Sequence, residues 1–147
     1  MSLTVSILRL SMIAAAALAA APTAACTVTA STIGFGLYRP AEDSTSTGSI
    51  AVDCAAGVAF EVQLSAGSGT YNTRRLQGDS SGELPYNLYT APNYAQIWGD
   101  GIEGGTVSVT GTGTGQSQIL NVYGLIQAGQ NPAVGTYSDS IVVTVNF

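Results

Sequence analysis

The side chains of this chain that could do chemistry are mainly carboxylates, because the 147 residues include no histidine and no lysine. A serine therefore has no ordinary general base, and the usual zinc ligands are missing. Asp100 and Glu103 could form a glycosidase pair with Trp98 as a sugar platform, or bind Ca²⁺ through their oxygens. Residues 98–105 lack the ligand spacing of a calcium loop. We therefore predict a glycine-rich turn closed by Asp100, Trp98 in the core, and no catalytic, metal or cofactor site.

The first 25 residues have the composition of a secretory signal. Arg9 is their only charged side chain, an alanine-rich apolar run covers 10–21, and small residues precede Cys26. A run of about 12 apolar residues is too short to cross a bilayer as a helix, which needs about 20. We predict that residues 1–25 are a signal peptide, that 26–147 form one exported domain, and that no membrane anchor is present.

Cys26 and Cys54 are the only cysteines, and two outcomes are open to them. In an oxidising compartment a disulfide is favoured, and closing a loop of about 29 residues would stabilise the fold by roughly 3–4 kcal/mol. Alternatively, Cys26 becomes the lipidated first residue of a bacterial lipoprotein, which would leave Cys54 as an odd free thiol. Thr23 stands where such lipoprotein signals usually have leucine, so we favour the disulfide.

The charge balance argues against a polyanionic partner. Loss of Arg9 with the signal leaves three arginines and nine acidic residues, a net charge of 3 − 9 = −6. A surface with so few cations cannot neutralise phosphates, so we expect no binding to nucleic acid. Charged residues make up only 9% of the chain, and glycine, serine and threonine supply much of its polarity. This composition is typical of a secreted β protein.

Apolar and polar residues alternate along most of the mature chain, which predicts β-strands. The predicted strands are 26–30, 49–54, 59–64, 84–89, 106–110 and 119–125. The clearest alternation closes the chain, where one strand of about ten residues would place on one face Tyr137, Asp139, Ile141, Val143, Val145 and Phe147. Seven to nine short strands separated by glycine-rich turns favour an all-β, antiparallel sandwich.

Two further motifs receive structural interpretations. The Gly-Thr repeat at 110–116 lacks the helix and lysine of a phosphate-binding loop, so we predict a solvated hairpin tip. Arg74 and Arg75 are predicted to form surface ion pairs with carboxylates such as Asp79 or Glu83, each worth about 0–1 kcal/mol.

Several blocks of this sequence, taken in order, resemble the spore coat protein U domain, which is also the domain of secreted pilins in archaic, Csu-type chaperone–usher systems. The blocks are 26–30, 33–38, 48–54, 75–76, 84–89, 98–101, 122–124 and 135–139. Each block is weak alone, and their order along the whole mature chain makes the match specific. The positions that this resemblance marks as structural are Arg75, Tyr86, Tyr89, Trp98, Gly99, Asp100, Gly101, Tyr123, Gly124 and Asp139.

The resemblance implies an immunoglobulin-like sandwich with a Cys26–Cys54 disulfide and one strand missing. In such a pilin a periplasmic chaperone fills the resulting groove, and at the outer-membrane usher a strand of the next subunit replaces it. The implied partners are the chaperone, the usher and other pilin subunits, and the product is a non-enzymatic surface fibre for adhesion or biofilm. The implied groove residues are Tyr137, Ile141, Val143, Val145 and Phe147.

The chain departs from such fibre subunits ahead of its first cysteine. Fibre subunits carry a donor strand of roughly ten residues there, and cleavage before Cys26 would leave none of the 5–6 residues that a useful strand needs. We therefore expect a subunit that accepts a strand without donating one, as at a fibre tip, or a coat domain that does not polymerise. The alternative is a self-complete coat or adhesive domain, with a Ca²⁺- or carbohydrate-binding loop around Asp100 and Glu103.

Overall fold

The computed structural model describes residues 3–6, 10–11 and 26–147. These residues form twelve β-strands and a short 3-10 turn at Glu103–Gly105. The strands are β1 (Leu3–Ser6), β2 (Leu10–Ser11), β3 (Cys26–Ala30), β4 (Ile33–Gly36), β5 (Ser44–Cys54), β6 (Ala59–Leu64), β7 (Arg74–Gly78), β8 (Glu83–Tyr89), β9 (Val109–Thr112), β10 (Ser117–Ile126), β11 (Tyr137–Ser140) and β12 (Val143–Asn146). Within this described part, no helix is long and apolar enough to cross a membrane. The predicted signal cleavage site before Cys26 lies outside the described residues.

Two sheets pack face to face around one apolar core. The larger sheet has the order β3-β5-β10-β8-β7-β11-β1-β4, and the smaller has the order β2-β12-β6-β9. Pairing is antiparallel except where β1 meets β11 and β2 meets β12, which are parallel. Ile50, Leu64, Leu88 and Trp98 are among the largest fully buried side chains. The predicted all-β, two-sheet fold is confirmed, and residues 26–147 contribute ten strands (β3 to β12) rather than the seven to nine predicted.

The two cysteines form a disulfide that joins β3 to β5. Cys26 and Cys54 lie directly opposite each other in the antiparallel ladder, and both side chains are buried. The predicted disulfide is confirmed. The alternative of a lipidated Cys26 beside a free Cys54 is wrong, because the Cys26 sulfur that a lipid would need is bonded to Cys54.

Removing this disulfide should cost about 3–4 kcal/mol of unfolding free energy, because the bond spans 28 residues and restricts the unfolded chain. The measurement is urea unfolding of the oxidised protein and of the Cys26→Ser, Cys54→Ser variant. Wild-type protein unfolded in the presence of a reductant should match the variant. A loss below about 1 kcal/mol would show that the bond constrains little of the unfolded chain.

The C-terminal segment is two strands and not one. β11 belongs to the larger sheet and β12 to the smaller, and the chain passes between the sheets at Ile141 and Val142. The prediction of one continuous strand was wrong, although the alternation persists across the break: alternate residues from Tyr137 to Val145 are buried. Phe147 shares their parity but lies beyond the end of β12, with 46% of its surface exposed.

The Gly-Thr repeat at 110–116 is not a hairpin tip, because β9 and β10 lie in different sheets. Gly113 donates its backbone N–H to Val58 O at 2.7 Å and accepts from Gly57 N at 2.9 Å. Gly115 N donates to Cys54 O at 3.0 Å. The repeat therefore connects the sheets and is fastened to the turn after β5. The strand predicted at 106–110 starts later, at Val109, and β4 and β7 were not predicted.

Candidate strand-binding groove

β4 and β11 lie on either side of a position for one strand. Among the described residues, β4 has one ladder partner, β1, and β11 has two, β1 and β7. Strand β1 comes from the segment that the sequence predicts to be a signal peptide. Domain 26–147 by itself therefore leaves β4 and one edge of β11 without backbone partners. We call this position, bounded by β4 and β11 and continued along β12, the strand groove.

Strands β1 and β2 pair in parallel with β11 and β12, one pair in each sheet. Strand β1 lies opposite β11 from end to end, with Leu3 beside Tyr137 and Ser6 beside Ser140. Leu10 then lies beside Val143 in the smaller sheet, with the register shifted by one residue between the two ladders. The backbones of β11 and β12 thus both pair with one added segment.

Glycines on β5 and β10 allow β4, which borders the strand groove, to lie close against these two strands. A Cβ on Gly124 would lie 2.6 Å from Phe35 Cζ, and a Cβ on Gly48 would overlap the Ile33 side chain. Ile33 and Phe35 are consequently buried. This packing gives a physical reason for the glycine at 124, which the family resemblance marks as structural.

The five predicted groove residues take three different positions. Ile141, Val143 and Val145 form a buried apolar row along β12 and the turn before it. Tyr137 packs instead on the β7–β8 hairpin: its hydroxyl donates to Ala133 O at 2.7 Å, and a Cβ on Gly82 would lie 2.6 Å from its oxygen. Phe147 is exposed past the end of the row, as described above.

Asp139 fixes β11 to the rest of the larger sheet through a buried carboxylate. Its Oδ1 accepts from Ser68 N at 3.0 Å, from Ser68 Oγ at 2.8 Å and from Ser140 N at 2.8 Å. Its Oδ2 accepts from the Tyr86 hydroxyl at 2.8 Å. Burial raises the pKa of Tyr86, and the charge of Asp139 raises it further, so Tyr86 remains the donor. The groove edge is therefore held rigidly by β8 and the turn after β6.

Arg74, at the start of β7, is a fully buried cation that the sequence interpretation placed on the surface. Its Nη1 donates to Asn87 Oδ1 at 2.6 Å, its Nε and Nη2 donate to Ser65 O at 3.0 and 2.8 Å, and Nη2 also donates to Trp98 O at 2.7 Å. Burial lowers the pKa of Arg74, and the neighbouring phenol of Tyr86 acts in the opposite direction. The guanidinium joins three separate segments of the core.

Arg74 was missed because two adjacent arginines suggested a solvated pair. The prediction is confirmed for Arg75, which bonds Glu83 across the β7–β8 ladder with both side chains partly exposed, and is wrong for Arg74. Alternation could have separated the two, since Arg74 shares its face with the buried Leu76 and Arg75 shares its face with the exposed Gln77.

Asp100 closes the turn that follows Trp98, as predicted. Its Oδ1 accepts from Ile102 N at 2.9 Å, from Glu103 N at 2.8 Å and from Thr106 Oγ1 at 3.1 Å. Trp98 is 1% exposed and donates its indole N–H to Val62 O at 3.0 Å. The alternative in which Trp98 is a sugar platform is therefore wrong. Within the described part of the chain, no three potential metal-ligating side chains cluster.

The glycines and tyrosines marked by the resemblance have packing roles. Gly99 lies against the Thr106 side chain, where a Cβ would approach to 2.6 Å. Gly101 has φ +76°, a backbone conformation that favours glycine. Tyr89 and Tyr123 are cross-strand neighbours in the β8–β10 ladder, and the Tyr89 ring packs edge-on against Tyr94 at 5.4 Å.

Replacing Asp100 by asparagine should lower stability by about 1 kcal/mol near neutral pH, because its hydrogen bonds lose the negative charge. Desolvation is the largest single influence and raises the pKa, but the hydrogen bonds from Ile102, Glu103 and Thr106 together lower the pKa of Asp100 below its ordinary value. A lowered folded-state pKa gives stability that is present above about pH 4 and is lost as the pH falls through that pKa. The melting temperature of wild type should therefore fall more steeply below pH 4 than that of Asp100→Asn.

The matched control is Asp53→Asn, which changes an exposed aspartate on β5. Its melting temperature at neutral pH should stay close to that of wild type. Parallel pH profiles for wild type and Asp100→Asn would contradict the role assigned to the Asp100 carboxylate.

The fold and the groove define the class of protein to which this chain belongs: a disulfide-linked β-sandwich with a strand position that domain 26–147 does not fill. The family model described as the Spore Coat Protein U domain matches residues 12–144. A relative, Protein U of Myxococcus xanthus, is 30% identical over 136 residues, with 79% of this chain and 72% of that protein covered. This chain therefore belongs to the spore coat protein U family.

A solved structure has a similar fold. It is the CsuC–CsuE chaperone–tip adhesion subunit pre-assembly complex from archaic chaperone–usher Csu pili of Acinetobacter baumannii. The TM-score is 0.59 at 19% identity, over 84% of this chain and 40% of that chain. This chain thus spans less than half the length of the solved chain, and the likeness concerns the fold alone.

Proposed function

We propose that the mature domain is a non-enzymatic structural subunit of a surface fibre or coat, and that a strand from a partner protein completes its fold. One observation carries the proposal: a strand from outside domain 26–147 lies between β4 and β11 and continues beside β12. Once the predicted signal peptide is removed, this position needs another strand. Otherwise β4 and one edge of β11 would lose their ladder partner, which is costly wherever water cannot replace the backbone hydrogen bonds.

The chemistry of the groove specifies its partner. Unpaired N–H and C=O groups along β11 and β12 would supply affinity through backbone hydrogen bonds, and the buried row of Ile141, Val143 and Val145 would select alternating apolar side chains. An extended segment with that alternation is the expected partner. We propose that a periplasmic chaperone fills the strand groove first, and that a strand of another subunit replaces the chaperone at the outer-membrane usher. The fold likeness to a subunit solved with its chaperone supports the first step.

We further propose a terminal place in the fibre. Cleavage before Cys26 would make that residue the first of the mature protein, and Cys26 is already the first residue of β3 and is bonded to Cys54. Such a subunit would accept a strand and have none to donate. Intact mass of the exported protein tests this, with a mature chain starting at Cys26 as the expected result. A chain with ten or so residues before Cys26 would contradict the terminal place and leave the strand groove untouched.

The function itself is tested on surface material sheared from the native host. The sample is run on a denaturing gel with and without boiling, and this protein is detected with an antibody. A ladder of high-mass species that collapses to monomer on boiling is expected for a strand-completed fibre, because each subunit is held by a full β-ladder. Monomer in both lanes would instead indicate a self-complete secreted domain and would contradict the proposal.

A further inference from the structure

A cleft of about 360 Å³ opens over β8, and none of its lining residues belongs to β4, β11 or β12. β8 lies between β7 and β10 in the larger sheet, so the segments that lead into β7 and out of β10 flank it. The cleft is lined from β8 by Tyr86, Asn87 and Tyr89. It is lined from the β7 side by Asn72 and Thr73, and from the β10 side by Gln127 and Gln130.

The β10 side of the cleft is a short loop, residues 127–130, that several hydrogen bonds hold in place. The buried Tyr38 hydroxyl donates to Gln127 O at 3.0 Å and accepts from Gln130 N at 3.1 Å. Asp43 Oδ1 accepts from Ala128 N at 2.7 Å, and the Gln130 carboxamide donates to Pro85 O at 2.9 Å. Because the loop backbone is fixed from both sides, binding would have to order only its exposed side chains and not the backbone itself.

The base of the cleft is equally fixed. Asn87 Oδ1 accepts from Arg74 at 2.6 Å, and Asn87 Nδ2 donates to Tyr71 O at 2.9 Å. Tyr86 donates to Asp139 at 2.8 Å, and the Tyr89 ring packs against Tyr94. The β8 side chains at the base of the cleft therefore keep their positions in the absence of a ligand.

The lining chemistry is neutral and rich in groups that both donate and accept hydrogen bonds. The cleft is lined by the carboxamides of Asn72, Gln127 and Gln130, the Thr73 hydroxyl and the phenol of Tyr89. The lining includes no charged side chain. Carboxamides and hydroxyls suit ligand hydroxyls, which also donate and accept. An aromatic ring offers a flat apolar face to the C–H face of a sugar. The volume lies at the lower end of the range of roughly 300–1,000 Å³ for small-molecule sites.

We propose that this cleft binds a neutral saccharide of one or two sugar units. The site is separate from the loop around Asp100, where Trp98 is buried. It is also independent of the strand groove, so a subunit with its groove filled would still present the cleft. A charged sugar would find no counter-ion in the lining and would have to give up its hydration without compensation.

The test is ligand-observed saturation-transfer NMR on the exported protein as isolated, whether monomer, complex or fibre, because this method tolerates large assemblies. The probes are glucose, galactose, mannose, N-acetylglucosamine and their β-linked disaccharides, with galacturonate as the charged comparison. We expect saturation transfer to at least one neutral sugar, with a Kd near 1 mM, corresponding to about −4 kcal/mol. Galacturonate should give none at the same concentration.

Alanine substitutions inside and outside the cleft test whether the sugar binds there. Gln127→Ala and Asn72→Ala remove exposed carboxamides from the two sides of the cleft and should each weaken binding at least fivefold without changing the melting temperature. Asn121→Ala removes an exposed carboxamide on β10, outside the cleft, and should leave binding unchanged. The proposal is overturned if no neutral sugar receives saturation, if galacturonate binds as well or better, or if the cleft variants bind like Asn121→Ala. Each of these results leaves the fibre proposal standing, because the gel assay does not involve the cleft.

Discussion

Replacing Arg74 by methionine should lower the free energy of unfolding by about 3–5 kcal/mol, a large part of the ~5–15 kcal/mol that stabilises a typical domain. Methionine fills a similar length of the core but donates no hydrogen bond. Ser65 O, Trp98 O and Asn87 Oδ1 would each lose a charged donor, and two of these bonds lie in fully buried surroundings. An unsatisfied buried acceptor costs about 1–3 kcal/mol.

The neighbouring residue provides the matched control. Arg75→Met removes an exposed ion pair with Glu83, and because solvent screens a pair with side-chain exposures of 44% and 42%, the loss should be far smaller than for Arg74→Met. Urea unfolding of both variants measures the difference. If Arg74→Met does not fold, Arg74→Lys keeps the charge with fewer donors and should give an intermediate loss. Equal losses for Arg74→Met and Arg75→Met would contradict the assignment of the buried network.

Replacing Ile141 and Val143 together by serine should weaken binding to the proposed periplasmic chaperone at least 100-fold, or about 2.7 kcal/mol. These side chains are 0% and 2% exposed in the apolar row beside the added segment. Serine removes the apolar surface that an inserted strand would cover and leaves a hydroxyl to be desolvated. The measurement is co-purification with a tagged chaperone, followed by competition binding.

A loss of binding could also follow from general destabilisation, so the control must cost similar stability elsewhere. Val52→Ser with Val122→Ser changes two 0% exposed valines on β5 and β10, which are not part of the strand groove. We expect this pair to lower the melting temperature comparably and to weaken chaperone binding less than tenfold. If both pairs lose binding equally, or if the Ile141 and Val143 pair retains it, the groove is assigned to the wrong strands.

Local alternation by itself determined much of this protein. Strands β3 and β6 begin and end where the sequence predicted. From Tyr137 to Val145 the alternation also predicted correctly which residues are buried, although the strand is broken within this segment. The Cys26–Cys54 pairing also followed, because the chain has only two cysteines and its first 25 residues predict export to an oxidising compartment. These features depend on which face a residue occupies, and a period of two residues reports that directly.

The tertiary structure alone decided which strands are neighbours. The passage of the C-terminal segment from one sheet to the other, the separation of β9 from β10 and the position of an added strand between β4 and β11 all depend on pairing across long sequence distances. Burial of Arg74 likewise depends on Ser65 and Trp98, which lie in other parts of the chain and supply acceptors there. Alternation specifies a face, whereas a ladder partner or a hydrogen-bond partner is chosen by the packing of the whole chain.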